Sequence, residues 1–342
     1  MQAHSALTRI ALASLVVLGA CDDDDDDIDQ IPGELERCFQ RVDLVSNVPG
    51  AALRTDPNLI NAWGITSELG AFAINATDSG VLAMYNADGT PASTGIPDGL
   101  QVGEGYTGIT RLDDTLILVS EDGLISTIVP DDDPTRLNVE IDEGAAGASF
   151  KGVTIYNDRV VAADFARARI EVFNRLFEPV PDKTFINPAI PAGYAPFNVA
   201  AFNETLYVTY ALQDTEGDEE VTGAGLGFVA AFNHNQDVLW TISSDLFNAP
   251  WGMAIAPLGF GDLQGTLLVG NFGDGRITIV DPALGSVVGQ VSDVNGVPIV
   301  TDGLWGLVTG ERVNDARSDA IYFTAGPAEE TQGLYGVLVP CD

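Results

Sequence analysis

Histidine and lysine are almost missing from this chain, with two of each among 342 residues. Apart from His4 near the start, the only imidazole is His234, in Asn233-His234-Asn235-Gln236-Asp237, which reads as a hairpin loop. That scarcity excludes histidine-rich zinc sites and argues against a Ser/His/Asp triad. No glycine-rich phosphate loop occurs. Cationic side chains are also few, 15 Lys and Arg against 50 Asp and Glu, for a formal net charge of −35. Nucleic acid and anionic lipid surfaces are therefore not expected partners, whereas cations and cationic ligands are. No apolar run approaches the ~20 residues that cross a bilayer.

The one notable apolar run, Ile10 to Leu18, follows Arg9 and ends in Gly19-Ala20-Cys21. This pattern reads as a signal peptide over residues 1–20. Leu18-Gly19-Ala20-Cys21 resembles the bacterial lipobox, which implies that Cys21 carries the acyl chains and is the membrane anchor; an ordinary secretory signal is the alternative. Asp22 to Asp27 and Asp29 make residues 21–37 a self-repelling acidic tether, or a sorting signal for one membrane. The expected location is the cell envelope, on the periplasmic face or the cell surface, with the domain a monomer. Cys38 and Cys341 remain, a pair that an oxidising compartment joins as a disulfide.

From residue 38 to 342 the chain repeats itself. A strand start built as an aromatic or polar residue, Gly or Asn, then an aliphatic residue recurs at Trp63-Gly64-Ile65, Thr107-Gly108-Ile109, Lys151-Gly152-Val153, Phe197-Asn198-Val199, Trp251-Gly252-Met253 and Trp305-Gly306-Leu307, at spacings of 44, 44, 46, 54 and 54 residues. Each start is followed by a second apolar run, then a turn and an alternating strand, as in Asn271 to Asp281. Strands at this density, without an amphipathic helix, predict an all-β fold: a six-bladed β-propeller with four strands per blade. The last repeat has room for three strands. Cys38 to Val45 alternates as a strand, belongs to no other repeat, and is expected to complete the sixth blade. The cysteines then fall where a hairpin turn is missing.

Val42 to Gly50, Thr55 to Ile65, Pro191 to Val199, Ala249 to Gly252, Leu268 to Ile277, Asp302 to Leu307 and Tyr322 to Pro327 resemble a family of uncharacterised bacterial secreted proteins. Some of its members end in a PEP-CTERM sorting tail. The resemblance covers residues 40–340 and implies an exported propeller of no agreed activity, here with a lipobox in place of the tail. More distantly, Asn271 to Asp281 is similar to repeats of NHL-type and gluconolactonase-like propellers.

Propellers place ligands where their loops converge on the central channel. Aligning the repeats puts Asn75, Glu121, Asp164 and Asn271 at the ends of second strands, Asn198 at the start of the fourth repeat and Asp302 just before the sixth. Such a ring of oxygens suits Ca²⁺ as cofactor; loop capping is the alternative. Lys151, in a slot that elsewhere holds tryptophan, is expected in a buried ion pair, and the tryptophans are expected to pack blades. The acidic insertion Gln213 to Gly223 lacks the EF-hand glycine and reads as a solvated loop, with contact to a partner as the alternative. The leading expectation is a non-catalytic binding or scaffold module for an envelope protein or a small molecule. A divalent-metal-dependent lactonase or esterase is the alternative.

Overall fold

The computed structural model describes residues 38–341 except 68, 69, 93, 182 and 183. The expected signal peptide, Cys21 anchor and acidic tether lie outside these residues. Among the described residues there is no α-helix, only three short 3-10 turns, and the strands form six sheets. The sheets are the blades of a β-propeller. Their innermost strands are Ala62–Thr66, Tyr106–Leu112, Phe150–Tyr156, Tyr194–Phe202, Pro250–Ile255 and Leu304–Thr309. Each packs on the innermost strand of the next blade, and the last packs on the first, closing the ring.

The recurrent motif falls on these inner strands, and its middle residue explains their course. In every blade the inner strand slips register against the second strand there, between Ala62 and Ile65 in the first blade and between Pro250 and Met253 in the fifth, for instance. A bulge bends the strand and increases its twist. The bend presses backbone against backbone: a Cβ on Gly64 would lie 2.2 Å from the Thr107 carbonyl oxygen, and one on Gly252 would lie 2.2 Å from that of Trp305. Blade four has Asn198 at this position, whose Nδ2 donates to the corresponding Trp251 carbonyl at 2.9 Å. Blades thus meet at one repeated contact, made by close approach where the residue is glycine and by a hydrogen bond where it is asparagine.

Six apolar clusters lie between successive blades, such as Phe72, Tyr322 and Tyr335 between the sixth and first, and a seventh fills the channel. This layering is why second strands such as Thr115–Ser120 are almost wholly buried: both faces of a blade are covered.

Ring closure agrees with the strand count. Phe39–Ser46 pairs antiparallel with Leu334–Pro340 as the outer strand of blade six, and Cys38 and Cys341 form a disulfide with Cα atoms 5.4 Å apart. The Cys341 amide donates to the Cys38 carbonyl at 2.9 Å, so the bond stands where a hairpin turn would. Phe39 stacks on Phe260 of blade five with ring centroids 4.3 Å apart, which ties the latch to the neighbouring blade.

Three details differ from the regular four-strand expectation. Among the described residues blade three has only Phe150–Tyr156, Arg159–Asp164 and Arg169–Phe173, and Thr184 and Asn187 bond to blade four instead. Blade six gains Arg54–Thr55, paired parallel to its outer strand. The acidic insertion is not simply a solvated loop: Glu220–Val221 pairs with the end of Thr205–Gln213, since Gln213 and Leu212 still present strand edge there.

Candidate functional site

The channel has two unlike mouths. At the mouth where the inner strands begin, aromatic side chains close it. Trp63 stacks on Trp305 at 3.7 Å between centroids, Phe272 stacks on the same ring at 4.0 Å, and Trp251 meets Trp305 edge-on at 5.8 Å. The repeat brings these rings together, since each occupies or neighbours the first slot of an inner strand. Trp63, Trp251 and Trp305 therefore pack blades one, five and six together at the channel, in agreement with the blade-packing role expected of them. Indole N–H groups need acceptors when buried. Trp305 Nε1 donates to Asn61 Oδ1 at 3.0 Å and Trp251 Nε1 to the Lys151 carbonyl at 3.1 Å, whereas Trp63 Nε1 has no partner among the described residues.

Lys151 lies on this aromatic floor, fully buried, with Nζ 5.4 Å from the Trp63 centroid and 5.9 Å from that of Phe165. Its ammonium donates to Glu121 and lies 3.5 Å from Glu219 Oε2. Burial works against the charged ammonium, but the Glu121, Glu220 and Glu219 carboxylates outweigh it and hold the Lys151 pKa above its ordinary value. The buried ion pair expected at this position is present.

Carboxylates from several blades converge around that single ammonium. The paired insertion carries Glu219 and Glu220, and Glu220 Oε2 is enclosed without a hydrogen-bond partner among the described residues. Burial, only partly offset by Lys151, pushes the Glu220 carboxyl up to about 8. Glu330 accepts from Asn61 Nδ2 at 3.0 Å, and Asp78 accepts from the same nitrogen at 3.2 Å. Burial raises Glu330 to about 6, with Asn61 opposing and the Asp78 and Glu121 charges adding. Glu121, Glu219, Glu220 and Glu330 thus gather around one lysine, and Asp78 adjoins Glu330 through Asn61. Neither Glu219, Glu220 nor Glu330 stood out in the sequence, because the insertion read as loop and the blade-six loop carried no motif.

The six oxygen side chains singled out from the repeats have separate partners. Asn75 Nδ2 donates to the Thr107 carbonyl at 2.9 Å, tying blade one to blade two; its Oδ1 is buried without a partner. Asp164 accepts from the Ser149 and Arg167 amides, both at 3.3 Å, and pairs with the Arg167 guanidinium. Asn271 spans Leu246 O at 2.7 Å and the Asn248 amide at 3.3 Å. Asp302 accepts from the Ala328 amide at 2.9 Å. Asn198 holds Trp251, and Glu121 holds Lys151. Asp164 and Asn271 face the same register position and do the same work, anchoring the segment that enters their own blade. Asn75 and Glu121 lie one residue off that position, in different surroundings. No group of three or more His, Cys, Asp or Glu residues placed to hold a metal ion occurs among the described residues.

The opposite mouth opens into a cavity of about 630 Å³ lined by the later halves of the inner strands, including Ile65, Ile109, Val199, Met253 and Leu307. Thr66, Thr110, Thr154, Asn203, Gln264 and Glu311 are among its polar lining. One end of the channel is therefore charged and closed by aromatics, and the other is open and largely neutral.

These features define a six-bladed β-propeller with an acidic, aromatic-floored channel mouth. The chain is 32% identical over 322 residues to uncharacterized protein L690 of Acanthamoeba polyphaga mimivirus, covering 86% of this chain and 84% of that protein. Uncharacterized protein R648 of the same virus is 31% identical over 320 residues, covering 86% and 78%. The chain belongs to the family of these proteins. No family model matches it. Among solved structures, streptogramin B lyase aligns with a TM-score of 0.53 at 12% identity over 90% of this chain and 99% of its own. A protein of unknown function from Bacteroides thetaiotaomicron gives a TM-score of 0.53 at 12% identity, covering 87% and 72%. At that identity these likenesses concern the fold alone.

Proposed function

We propose that this protein is a non-catalytic binding module of the cell envelope, lipid-anchored through Cys21, that captures a cationic group at its acidic channel mouth. One observation carries the reading: Glu121, Glu219, Glu220 and Glu330, one of them with an enclosed oxygen lacking any hydrogen-bond partner among the described residues, gather around a single ammonium over an indole floor. Such a surface favours an organic cation both by charge and by the faces of its rings. The Lys151 ammonium already occupies one such position, so the ligand adds beside it.

The resemblance of residues 40–340 to bacterial secreted propellers supports export, and the Leu18-Gly19-Ala20-Cys21 motif supports the anchor. Metabolic labelling with a radiolabelled fatty acid should mark the wild-type protein and not Cys21→Ser; equal labelling of both would remove the anchor from this account. A Ca²⁺-dependent hydrolase ranks lower, because Asp164, Asn198, Asn271 and Asp302 already serve loop and blade contacts. A calcium titration that raised the melting temperature would restore it.

The binding test uses tetramethylammonium, a permanent cation whose charge does not change with pH. Titration should show saturable binding that Glu220→Gln with Glu330→Gln abolishes and that Asp131→Asn with Asp132→Asn, on the exposed face of blade two, leaves unchanged. Equal loss in both double variants would reduce the effect to general acidity.

A further inference from the structure

A second cavity, of about 430 Å³, lies away from the channel between blades three and four. Its origin is the strand that blade three lacks. Residues 174–181 stay with the blade only briefly, where the Val180 amide donates to Val172 O at 2.8 Å. From Thr184 on the bonds are to blade four: the Thr184 amide donates to Gln236 Oε1 at 2.7 Å and Asn187 Nδ2 to Thr241 Oγ1 at 2.8 Å. Val161 and Val172, on the face of blade three that packs toward blade four, line the cavity. Phe185 and Tyr156 wall it, edge-to-face with centroids 5.9 Å apart, and all four side chains are at most 5% exposed.

Arg159 opens onto this apolar floor from the first hairpin of blade three. In a chain so rich in acid, arginines find carboxylates readily: Arg41, Arg111, Arg167, Arg169, Arg175 and Arg317 each stand in an ion pair. Half-buried Arg159 has neither an ion pair nor a hydrogen-bond acceptor among the described residues. Glu204, on the rim from blade four, uses its backbone carbonyl to accept from the Tyr156 hydroxyl at 2.8 Å and forms no ion pair with Arg159. His234 completes the rim. A guanidinium is a fork of five donors that matches a carboxylate in two bonds, and it keeps its charge at every physiological pH.

We propose that this cavity is a binding site for an apolar monocarboxylate, with the tail against Tyr156, Val161, Val172 and Phe185 and the carboxylate on Arg159. The site is independent of the channel mouth and selects the opposite charge. Glu204 sharpens the selection, because it penalises a head group seated away from the guanidinium.

The test compares octanoate with octanol, which shares its tail and carries no charge, in calorimetric titrations of the whole protein. Octanoate should bind at least about tenfold more tightly than octanol, the scale of one charge-assisted bond. Arg159→Gln should remove that preference by weakening octanoate about tenfold or more while leaving octanol unchanged, and Arg159→Lys should keep part of it. Equal binding of octanoate and octanol by the wild type, no octanoate binding, or full octanoate binding by Arg159→Gln overturns the proposal. The wild-type comparison decides the matter even if a variant fails to fold.

Discussion

Replacing Lys151 by Met keeps most of the stem and deletes the one positive charge at the acidic mouth. Two effects oppose each other. The ammonium is fully buried, and its removal relieves a desolvation penalty of several kcal/mol. Its carboxylates lose their counter-ion, but Glu121 and Glu219 have side chains 32% and 66% exposed and recover hydration. The net loss is therefore smaller than the ~3–5 kcal/mol of a fully enclosed broken pair, and about 1–3 kcal/mol is expected near pH 8. Its pH dependence is the sharper signature. Burial raises the folded-state pKa values of Glu219, Glu220 and Glu330, and removing the ammonium takes away a charge that opposes that rise. Groups raised in this way stabilise the fold below the unfolded value and withdraw that stability as pH climbs through the folded one. The deficit of Lys151→Met against wild type should therefore be small near pH 5 and grow toward pH 8. Guanidinium denaturation at pH 5, 6.5 and 8 measures it; a deficit that is constant, or larger at pH 5, refutes the electrostatic reasoning.

Other expectations rest on separate contacts. Glu220→Gln should flatten the wild-type decline in stability between about pH 5 and 8, because the wild-type carboxyl, raised to about 8 when folded, binds its proton more tightly in the native state; parallel pH profiles of the two proteins would contradict this. Gly252→Ala forces a methyl to 2.2 Å from the Trp305 carbonyl and should cost about 3 kcal/mol or prevent folding, whereas Gly95→Ala, whose nearest contact is 3.5 Å, should be nearly neutral in thermal melts. Reduction should destabilise the wild type by about 2–5 kcal/mol and leave Cys38→Ala with Cys341→Ala unaffected, because the bond closes 303 residues of chain. Equal sensitivity of both to reductant would assign the effect elsewhere.

The ring was legible in the sequence because its parts repeat. Trp63-Gly64 and its equivalents mark the inner strands, and glycine recurs there because a Cβ would run into the next blade, as Gly64 and Gly252 show against the Thr107 and Trp305 carbonyls. The latch followed from counting strands, and it needed no knowledge of side-chain packing. The acidic mouth was less legible. Lys151 stood out by interrupting a tryptophan slot, but Glu219, Glu220 and Glu330 come from loops whose course depends on tertiary pairing, such as Leu212 with Val221. Alignment within repeats misled in another way. It placed Asn75 and Glu121 beside Asp164 and Asn271, yet a shift of one residue turns a side chain to the other face of a strand, so residues of like chemistry acquired unlike partners.

The central claim is that the mouth around Lys151 binds a cation and that Glu220 takes part. Calorimetric titration with tetramethylammonium across pH 6 to 9 tests it most directly. A bound cation favours the Glu220 carboxylate, so binding should release a proton and tighten as pH rises toward and past 8, and Glu220→Gln should lose that dependence. Binding that is independent of pH, or equally pH-dependent in Glu220→Gln, would contradict the account.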